Sequence, residues 1–111
     1  MDWNILLFET NRVEKPVEKF IKSQNPATIA KIAHTLDLLE KYGSFLSMPH
    51  SKKITGNLYE LRIRGKQEVR IFYTFLKRNI YLLHAFQKQS QKAPKKEIKI
   101  ALKRLKLLTN S

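Results

Sequence analysis

Cysteine is absent from the 111-residue sequence, and glycine occurs only three times. Without cysteine the chain can form no disulfide, no thiolate nucleophile and no cysteine-ligated zinc site, which fits a reducing cytosol. No glycine-rich phosphate loop is present, and local spacing shows no Ser-His-Asp motif. The histidines His34, His50 and His84 are scattered, which is a poor pattern for a metal site. The familiar signatures of an enzyme are therefore missing.

Acidic residues are also scarce, since 9 Asp and Glu stand against 22 Lys and Arg and leave a formal net charge of +13. No acids are paired at a spacing that would hold Mg²⁺, so we expect neither two-metal hydrolysis nor any bound metal or cofactor. A surface this basic attracts a polyanion. Nucleic acid is the commonest partner of such a small protein, and anionic membrane or an acidic partner protein comes next.

Long hydrophobic runs are missing as well. The apolar part of the N-terminal segment MDWNILLFET is too short for a transmembrane span and lacks the basic region of a secretory signal. We therefore expect a cytoplasmic protein that does not bind a membrane. The 42% hydrophobic content argues against disorder, and the chain length suits one domain spanning residues 1–111.

The N-terminal part predicts one strand and two helices. An apolar run rich in strand-compatible residues predicts a strand over Trp3–Glu9. Apolar residues at helical spacing then predict a helix from near Pro16 to about Ser23 and a second over Pro26–Tyr42. Asn25 suits the N-cap of the second helix and Gly43 its end. The short connection makes the two helices an antiparallel hairpin with one shared apolar side.

The C-terminal part predicts a loop, three strands and a helix. Composition indicates a loop over Ser44–Asn57. Three strand-like segments follow between Leu58 and Gln91, and their short turns predict an antiparallel meander. Pro94 opens a last helix whose polar face includes Arg104. The fold class is α+β, with a four-stranded, mainly antiparallel sheet packed by the N-terminal helical hairpin and the C-terminal helix.

Arginines interrupt the apolar alternation of the predicted strands. Because strand side chains alternate, Glu60, Arg62 and Arg64 share one face of the second strand. Arg70 lies in the third strand among residues that could have been wholly apolar. The other cations near this face are Lys88, just beyond the fourth strand, and His50, Lys52 and Lys53, in the loop before the second. Together these residues predict a surface that binds phosphate.

A basic surface of this kind can cleave RNA without a metal. The 2′-hydroxyl of RNA is its own nucleophile, so the protein needs to deprotonate it, stabilise charge on the phosphate and help the 5′-oxygen leave. Arginine suits the second task. It cannot normally act as a base, so the base would be Glu60, Lys88, a histidine or a tyrosine, and the sequence does not choose among them.

Each of these residues also has a purely structural interpretation. Glu60 can pair with Arg62 or Arg70 across the sheet. His84 shares a face with Ile80, Leu82 and Phe86 by parity, which is typical of a packed, hydrogen-bonded histidine. The default role of Tyr73 is packing. Arg64 and the lysine-rich face of the last helix are typical of solvated charge.

Three motifs carry a resemblance to a known family: LYELR at 58–62, VRIFY at 69–73 and LLHAFQK at 82–88. With QKAP at 91–94, Glu97 and the segment LEKYG at 39–43, the chain resembles the HigB-like branch of the RelE/ParE toxin superfamily over nearly its whole length. These are phage-derived-type toxins of type II toxin–antitoxin systems. The HigB and RelE types are metal-independent endoribonucleases that cut mRNA at the ribosome.

The resemblance implies a RelE-like fold, a site and a partner. The family's strand arginine corresponds to Arg70, and its Phe-x-Lys-Lys motif corresponds to Phe86 and Lys88. Arg62 matches another basic strand position, whereas Gln89 replaces the usual second lysine. The implied partners are mRNA, the ribosome and a cognate antitoxin, often a helix-turn-helix protein. The resemblance implies Arg70, Lys88 and Arg62 as catalytic residues, and Glu60 joins the predicted catalytic set as a candidate base.

The basic residues outside this catalytic set are expected to contact RNA: Lys52, Lys53, Arg64, Lys92, Lys95 and Lys96. Two other functions remain open at this point. One is a gyrase-poisoning toxin of the ParE type, which shares the fold and needs no catalytic sheet face. The other is a non-catalytic RNA-binding module.

Overall fold

The structure, a computed structural model, describes residues 2–90 and 94–110. Its helices are α1 (Pro16–Lys22), α2 (Pro26–Tyr42) and α3 (Lys95–Thr109), and a short 3₁₀ turn, Gly43–Phe45, follows α2. Its strands are β1 (Asn4–Leu7), β2 (Ser51–Thr55), β3 (Leu58–Ile63), β4 (Val69–Leu76) and β5 (Asn79–Gln87). The helix α2 has the predicted bounds, and the side chain of Asn25 accepts from Thr28 N at 2.8 Å as its N-cap.

The sheet has five strands in the order β1-β5-β4-β3-β2. Only the β1–β5 pair is parallel within this sheet, and the other pairs are antiparallel. The prediction of four strands is therefore wrong, because the predicted loop Ser44–Asn57 contains β2. This strand is short, and its exposed lysines, Lys52 and Lys53, conceal any apolar alternation. Lysines on an edge strand also discourage pairing with other chains.

The two N-terminal helices cover one face of the sheet. The helix α1 lies against β5 and α2 lies against β3, so each packs mainly on a different strand. Val17 of α1 and Ile32 and Leu39 of α2 enter the same buried core. The predicted hairpin is thus matched only in part, because each of the two helices contacts the sheet more than it contacts the other helix.

The opposite face of the sheet is covered by α3. Ala101 of this helix packs with Leu58, Phe72, Leu83 and Phe86 in a second buried cluster. Strand alternation separates the two cores, since Ile71 belongs to the first and Phe72 to the second. None of the α-helices in the described ranges combines the length and apolar content that a membrane span requires.

A β-bulge in β5 changes which side chains share a face. Tyr73 lies opposite Leu82 and Phe72 lies opposite His84, so one extra residue is inserted at Leu83. His84 therefore faces the α3 side with Phe72 and Phe86, whereas Leu82 belongs to the first core. The prediction that His84 shares a face with Ile80 and Leu82 is wrong, because simple parity does not continue through a bulge.

Gly43 allows the N-terminal segment to pack against the end of α2. Its φ of 51° and ψ of −121° lie in a region that is essentially open to glycine alone. The ring of Trp3 occupies the space where a Cβ at residue 43 would lie. Trp3 N donates to Glu40 O at 2.9 Å, and its ring meets Phe75 edge to face with centroids 5.1 Å apart. Gly43 thus joins α2 to the first core through Trp3.

We expect Gly43→Ala to lower the free energy of unfolding by more than the roughly 1–3 kcal/mol of backbone strain alone, because Trp3 must also move. Urea unfolding followed by the fluorescence of Trp3, the one tryptophan, measures the loss. Gly56→Ala is the matched control, since Gly56 has the same φ of 51° with nothing within 4 Å of its Cβ position. Equal losses in the two variants would contradict a role for the Trp3 contact.

Candidate functional site

The charged residues of β3 and β4 meet on the α3 side of the sheet, beside the apolar positions that α3 covers. Arg62 lies directly opposite Arg70, and Arg70 lies opposite Phe86 on β5. Two residues before Arg62 on β3, Glu60 lies opposite Lys52 on β2. Lys88 continues β5, because its backbone N donates to Glu68 O at 2.8 Å. We call Lys52, Glu60, Arg62, Arg70 and Lys88 the charged sheet face.

Glu60 holds the two arginines of this face together. Its Oε1 accepts from Arg62 Nε at 2.9 Å and lies 3.9 Å from Arg70 Nε. The side chains of Glu60 and Arg70 are each 4% exposed, and that of Arg62 is 15% exposed. Like charges directly opposite each other in a sheet repel, so the carboxylate between them offsets a real cost. The interpretation that Glu60 pairs across the sheet is confirmed.

Arg70 is buried with one donor unused. Its Nη1 donates to Val69 O at 3.2 Å, and its Nη2 donates to Glu68 Oε1 at 3.1 Å. Its Nε forms no hydrogen bond with any residue that the structure describes. A buried charged group is expensive unless its donors are satisfied. The structure therefore keeps an unsatisfied, buried N–H at Arg70, 3.9 Å from the carboxylate of Glu60.

Glu68 is the second acid at this end of the sheet. Burial acts to raise its pKa, but hydrogen bonds from Arg70 and from Gly65 N, with the charges of Arg70 and Arg64, outweigh burial and lower the pKa. Arg64 Nη1 lies 3.6 Å from Glu68, with its side chain 57% exposed. The interpretation of Arg64 as a solvated charge therefore agrees with its exposure.

His50 lies beside Arg62 at one end of the row His50–Arg62–Arg70–Phe86, which we call the arginine row. Lys88 lies outside this row, two residues after Phe86 on β5 and opposite Glu68. Arg62 N donates to His50 O at 2.8 Å, which continues the β2–β3 register one position beyond Ser51. Both His50 and Lys88 are half-buried. Neither side chain has a hydrogen bond or ion pair within the described ranges. These two groups are therefore available to a bound molecule.

The other predicted RNA contacts are spread over the molecule. Lys53 lies opposite Tyr59, which packs in the first core, so it faces away from the charged sheet face. Lys95 and Lys96 are exposed in the first turn of α3. Lys92 lies outside the described residues. Of the predicted set, only Lys52 joins the charged sheet face, and Arg64 borders it through Glu68.

His84 is held between two residues of α3. Arg104 Nη1 donates to His84 Nδ1 at 3.2 Å and to Leu83 O at 2.9 Å. Because an arginine donates, Nδ1 accepts, and Nε2 carries the proton that bonds to Glu97 Oε1 at 2.8 Å. Burial, aided by the charge of Arg104 and opposed by Glu97, lowers the pKa of His84. The interpretation of His84 as a packed, hydrogen-bonded histidine is confirmed.

Arg104 is the residue whose role the sequence interpretation missed. We expected it on the solvated face of the last helix, but it is half-buried and binds the sheet. The signal that could have found it is the seven-residue spacing from Glu97, which places the two side chains on one face of α3. An acid and a base at that spacing on a helix that packs on a strand histidine predict that both side chains bond to that histidine.

Two groups of potential function lie elsewhere. Tyr73 is buried in the first core, where its hydroxyl hydrogen-bonds Ser51 Oγ, and burial raises its pKa despite that bond. It is therefore separated from the charged sheet face by the sheet itself. Within residues 2–90 and 94–110, no three His, Asp or Glu side chains cluster as metal ligands would.

A comparison with protein-family models adds an independent finding. The model described as Phage derived protein Gp49-like (DUF891) matches residues 19–106. This range runs from within α1 to near the end of α3 and contains the whole charged sheet face. A comparison with curated proteins finds no match.

We expect acid to destabilise the protein partly through His84. Its folded-state pKa lies below the ordinary 6.5, so the unfolded chain binds more protons below that pH. The free energy of unfolding should therefore fall as the pH drops below about 6.5 toward the folded-state pKa. His84→Gln should remove that part of the decline, as measured by urea unfolding from about pH 7.5 to about pH 5.

The control for this experiment is His34→Gln, since His34 is exposed on α2. This variant keeps the contact between His84 and Glu97, so the part of the decline that depends on His84 should remain. An unaltered decline in His84→Gln would contradict the assignment of a neutral, buried imidazole at His84.

Proposed function

The chain belongs to the phage-derived Gp49-like protein family, a family of RelE-like toxins, and from this premise we propose that it is the toxin of a type II toxin–antitoxin system. We assign it to the HigB-like branch, as an endoribonuclease that cleaves mRNA at the ribosome and so inhibits translation. The observation that carries the proposal is the charged sheet face, where two arginines lie opposite each other with an unused Arg70 donor.

The proposed reaction uses the RNA's own nucleophile. The 2′-oxygen attacks the adjacent phosphorus, a 2′-oxygen–phosphorus bond forms and the bond to the 5′-oxygen breaks. The 2′-hydroxyl proton passes to a base, and the 5′-oxygen receives a proton from an acid. The products are a 2′,3′-cyclic phosphate and a 5′-hydroxyl. No metal or cofactor takes part in these steps.

Arg62 and Arg70 stabilise the charge that develops on the phosphate. Fixed donors in a partly buried site act more strongly than in water, because they do not need to reorganise during the reaction. Arg62 is the more accessible of the two and contacts the phosphate directly. Arg70 lies beside it on the neighbouring strand, held by Glu68 and Val69, and its positive charge supports the charge that develops on the phosphate. Glu60 positions both guanidinium groups.

His50 and Lys88 transfer the protons. A neutral imidazole can accept the 2′-hydroxyl proton, whereas the ammonium of Lys88 can donate to the departing 5′-oxygen. Support for these roles is their position on either side of the two arginine-bearing strands, with His50 beside Arg62 and Lys88 on the β5 side. Neither has a side-chain partner in the described part of the chain. Glu60 is less suited to be the base, because it is buried and already bonded to Arg62.

The remaining charges suit a long polyanion and a protein partner. Lys52, Arg64, Lys53, Lys92, Lys95 and Lys96 are proposed to contact RNA away from the scissile phosphate. A toxin family of this kind implies an antitoxin. We propose that this partner is a helix-turn-helix protein. The net charge of +13 would attract an acidic antitoxin as well as RNA.

We expect Lys88→Ala to lower the rate of mRNA cleavage by about 10²–10⁴-fold, the usual contribution of a general acid or base. Primer extension on message bound to purified ribosomes measures the rate. Lys99→Ala removes the same charge from an exposed position of α3 and is the matched control.

Unchanged cleavage by Lys88→Ala would contradict the role of Lys88 as the acid.

Expression of the wild-type chain in cells separates the nuclease from the two alternative functions. DNA breaks without loss of message would indicate a gyrase poison, and RNA binding without growth arrest would indicate a non-catalytic module.

A further inference from the structure

A basic cavity of about 430 Å³ opens between α2 and the paired ends of β2 and β3. Its charged and imidazole walls are formed by Lys31, His34, His50, Arg62 and Arg64. Only His50, Arg62 and Arg64 come from the strand region; Lys31 and His34 come from α2. The cavity thus begins at the charged sheet face and extends to a helix that none of the steps above uses.

The fold brings the two helix residues to this place by a simple arrangement. Lys31 and His34 are three residues apart, so they project from the same side of α2. Lys31 Nζ lies 2.6 Å from the position that a Cβ at residue 65 would take. The lysine therefore reaches from α2 to the turn after β3, and its ammonium lies beside the segment that carries Arg64.

The charges of the cavity are not balanced. Arg62 pairs with Glu60, and Arg64 pairs with Glu68 at 3.6 Å. Lys31, His34 and His50 have no ion pair or side-chain hydrogen bond with any residue that the structure describes. No Asp or Glu within the described ranges lines the cavity. A concave surface with cations and no acids concentrates positive potential and attracts an anion.

The rest of the wall indicates which kind of anion fits. Ala30, Pro49 and Ile63 give the cavity an apolar side next to its charged side. A bare inorganic ion would use the charges alone, whereas a nucleotide presents a phosphate together with an apolar ribose or base face. Because Arg62 and His50 also belong to the arginine row, a strand held at the charged sheet face can continue into the cavity.

We propose that this cavity binds a backbone phosphate of the RNA strand that flanks the scissile phosphate, with Lys31 and His34 as its contacts on α2. The inference rests on the proposed function for the identity of the strand. It adds a second fixed point on the RNA, which would set the direction in which the strand crosses the charged sheet face.

The test uses the full chain and 2′-O-methyl RNA oligonucleotides, which cannot be cleaved through the 2′-hydroxyl. Fluorescence anisotropy gives the affinity for lengths of about three and about six nucleotides at several salt concentrations, since each phosphate contact adds to the salt slope. The variants are Lys31→Ala/His34→Ala and, as a control of equal or larger charge loss, Lys19→Ala/Lys22→Ala on the exposed side of α1.

We expect Lys31→Ala/His34→Ala to bind the longer oligonucleotide about tenfold more weakly and to reduce the magnitude of the salt slope by about one. The shorter oligonucleotide, held at the charged sheet face, should change little.

Three results decide the inference. Wild-type affinity for both lengths in Lys31→Ala/His34→Ala overturns it, and so does a loss no larger than that of the α1 control. If the wild-type chain cleaves message while either of these holds, the proposed function survives alone. If the wild-type chain cleaves nothing but the longer oligonucleotide still depends on Lys31 and His34, the cavity stands and the proposed nuclease fails.

Discussion

Glu60 lies between two arginines that face each other across β3 and β4, and the charged side of the sheet depends on this contact. Opposed guanidinium groups at buried positions would repel each other, and each would lose its hydration. The carboxylate of Glu60 and the neighbouring Glu68 offset that repulsion while one N–H of Arg70 stays unsatisfied. An arrangement that is electrostatically costly and incompletely paired gains most from an anionic ligand, which links the packing of the sheet to its proposed chemistry.

The same sheet separates the charged sheet face from the core that α1 and α2 cover. On one face α1 and α2 cover a core that contains Tyr73, and on the other α3 covers Phe72 and Phe86. The bridge from Arg104 through His84 to Glu97 fixes α3 beside the charged residues without using the arginine row. The α3 helix and the charged sheet face therefore share one side of the sheet. Apolar contacts hold α3 over Phe72 and Phe86, and the bridge through His84 holds it at the edge of that apolar cluster.

The sequence predicted the three helices, β1, the three C-terminal strands and the meeting of Arg62 with Arg70, because strong apolar periodicity marks these elements. It did not predict β2, whose lysines carry no periodic signal and whose backbone is ordered by pairing with β3. It placed His84 wrongly relative to Leu82, because the bulge at Leu83 is a tertiary adjustment that has no local signature. Arg104 was missed because its partner strand is distant in the chain, and the role of Lys31 emerges only from the cavity that α2 forms with the ends of β2 and β3.

The central claim is that the charged sheet face cleaves RNA through the RNA's own 2′-hydroxyl. The most direct test places one ribosome-bound message beside the same message with a single 2′-deoxy nucleotide on the 5′ side of the cleaved bond. The account predicts that the all-ribose message is cut to a 2′,3′-cyclic phosphate and a 5′-hydroxyl, and that the substituted message is not cut at that bond. Cleavage of the deoxy-substituted bond would contradict it.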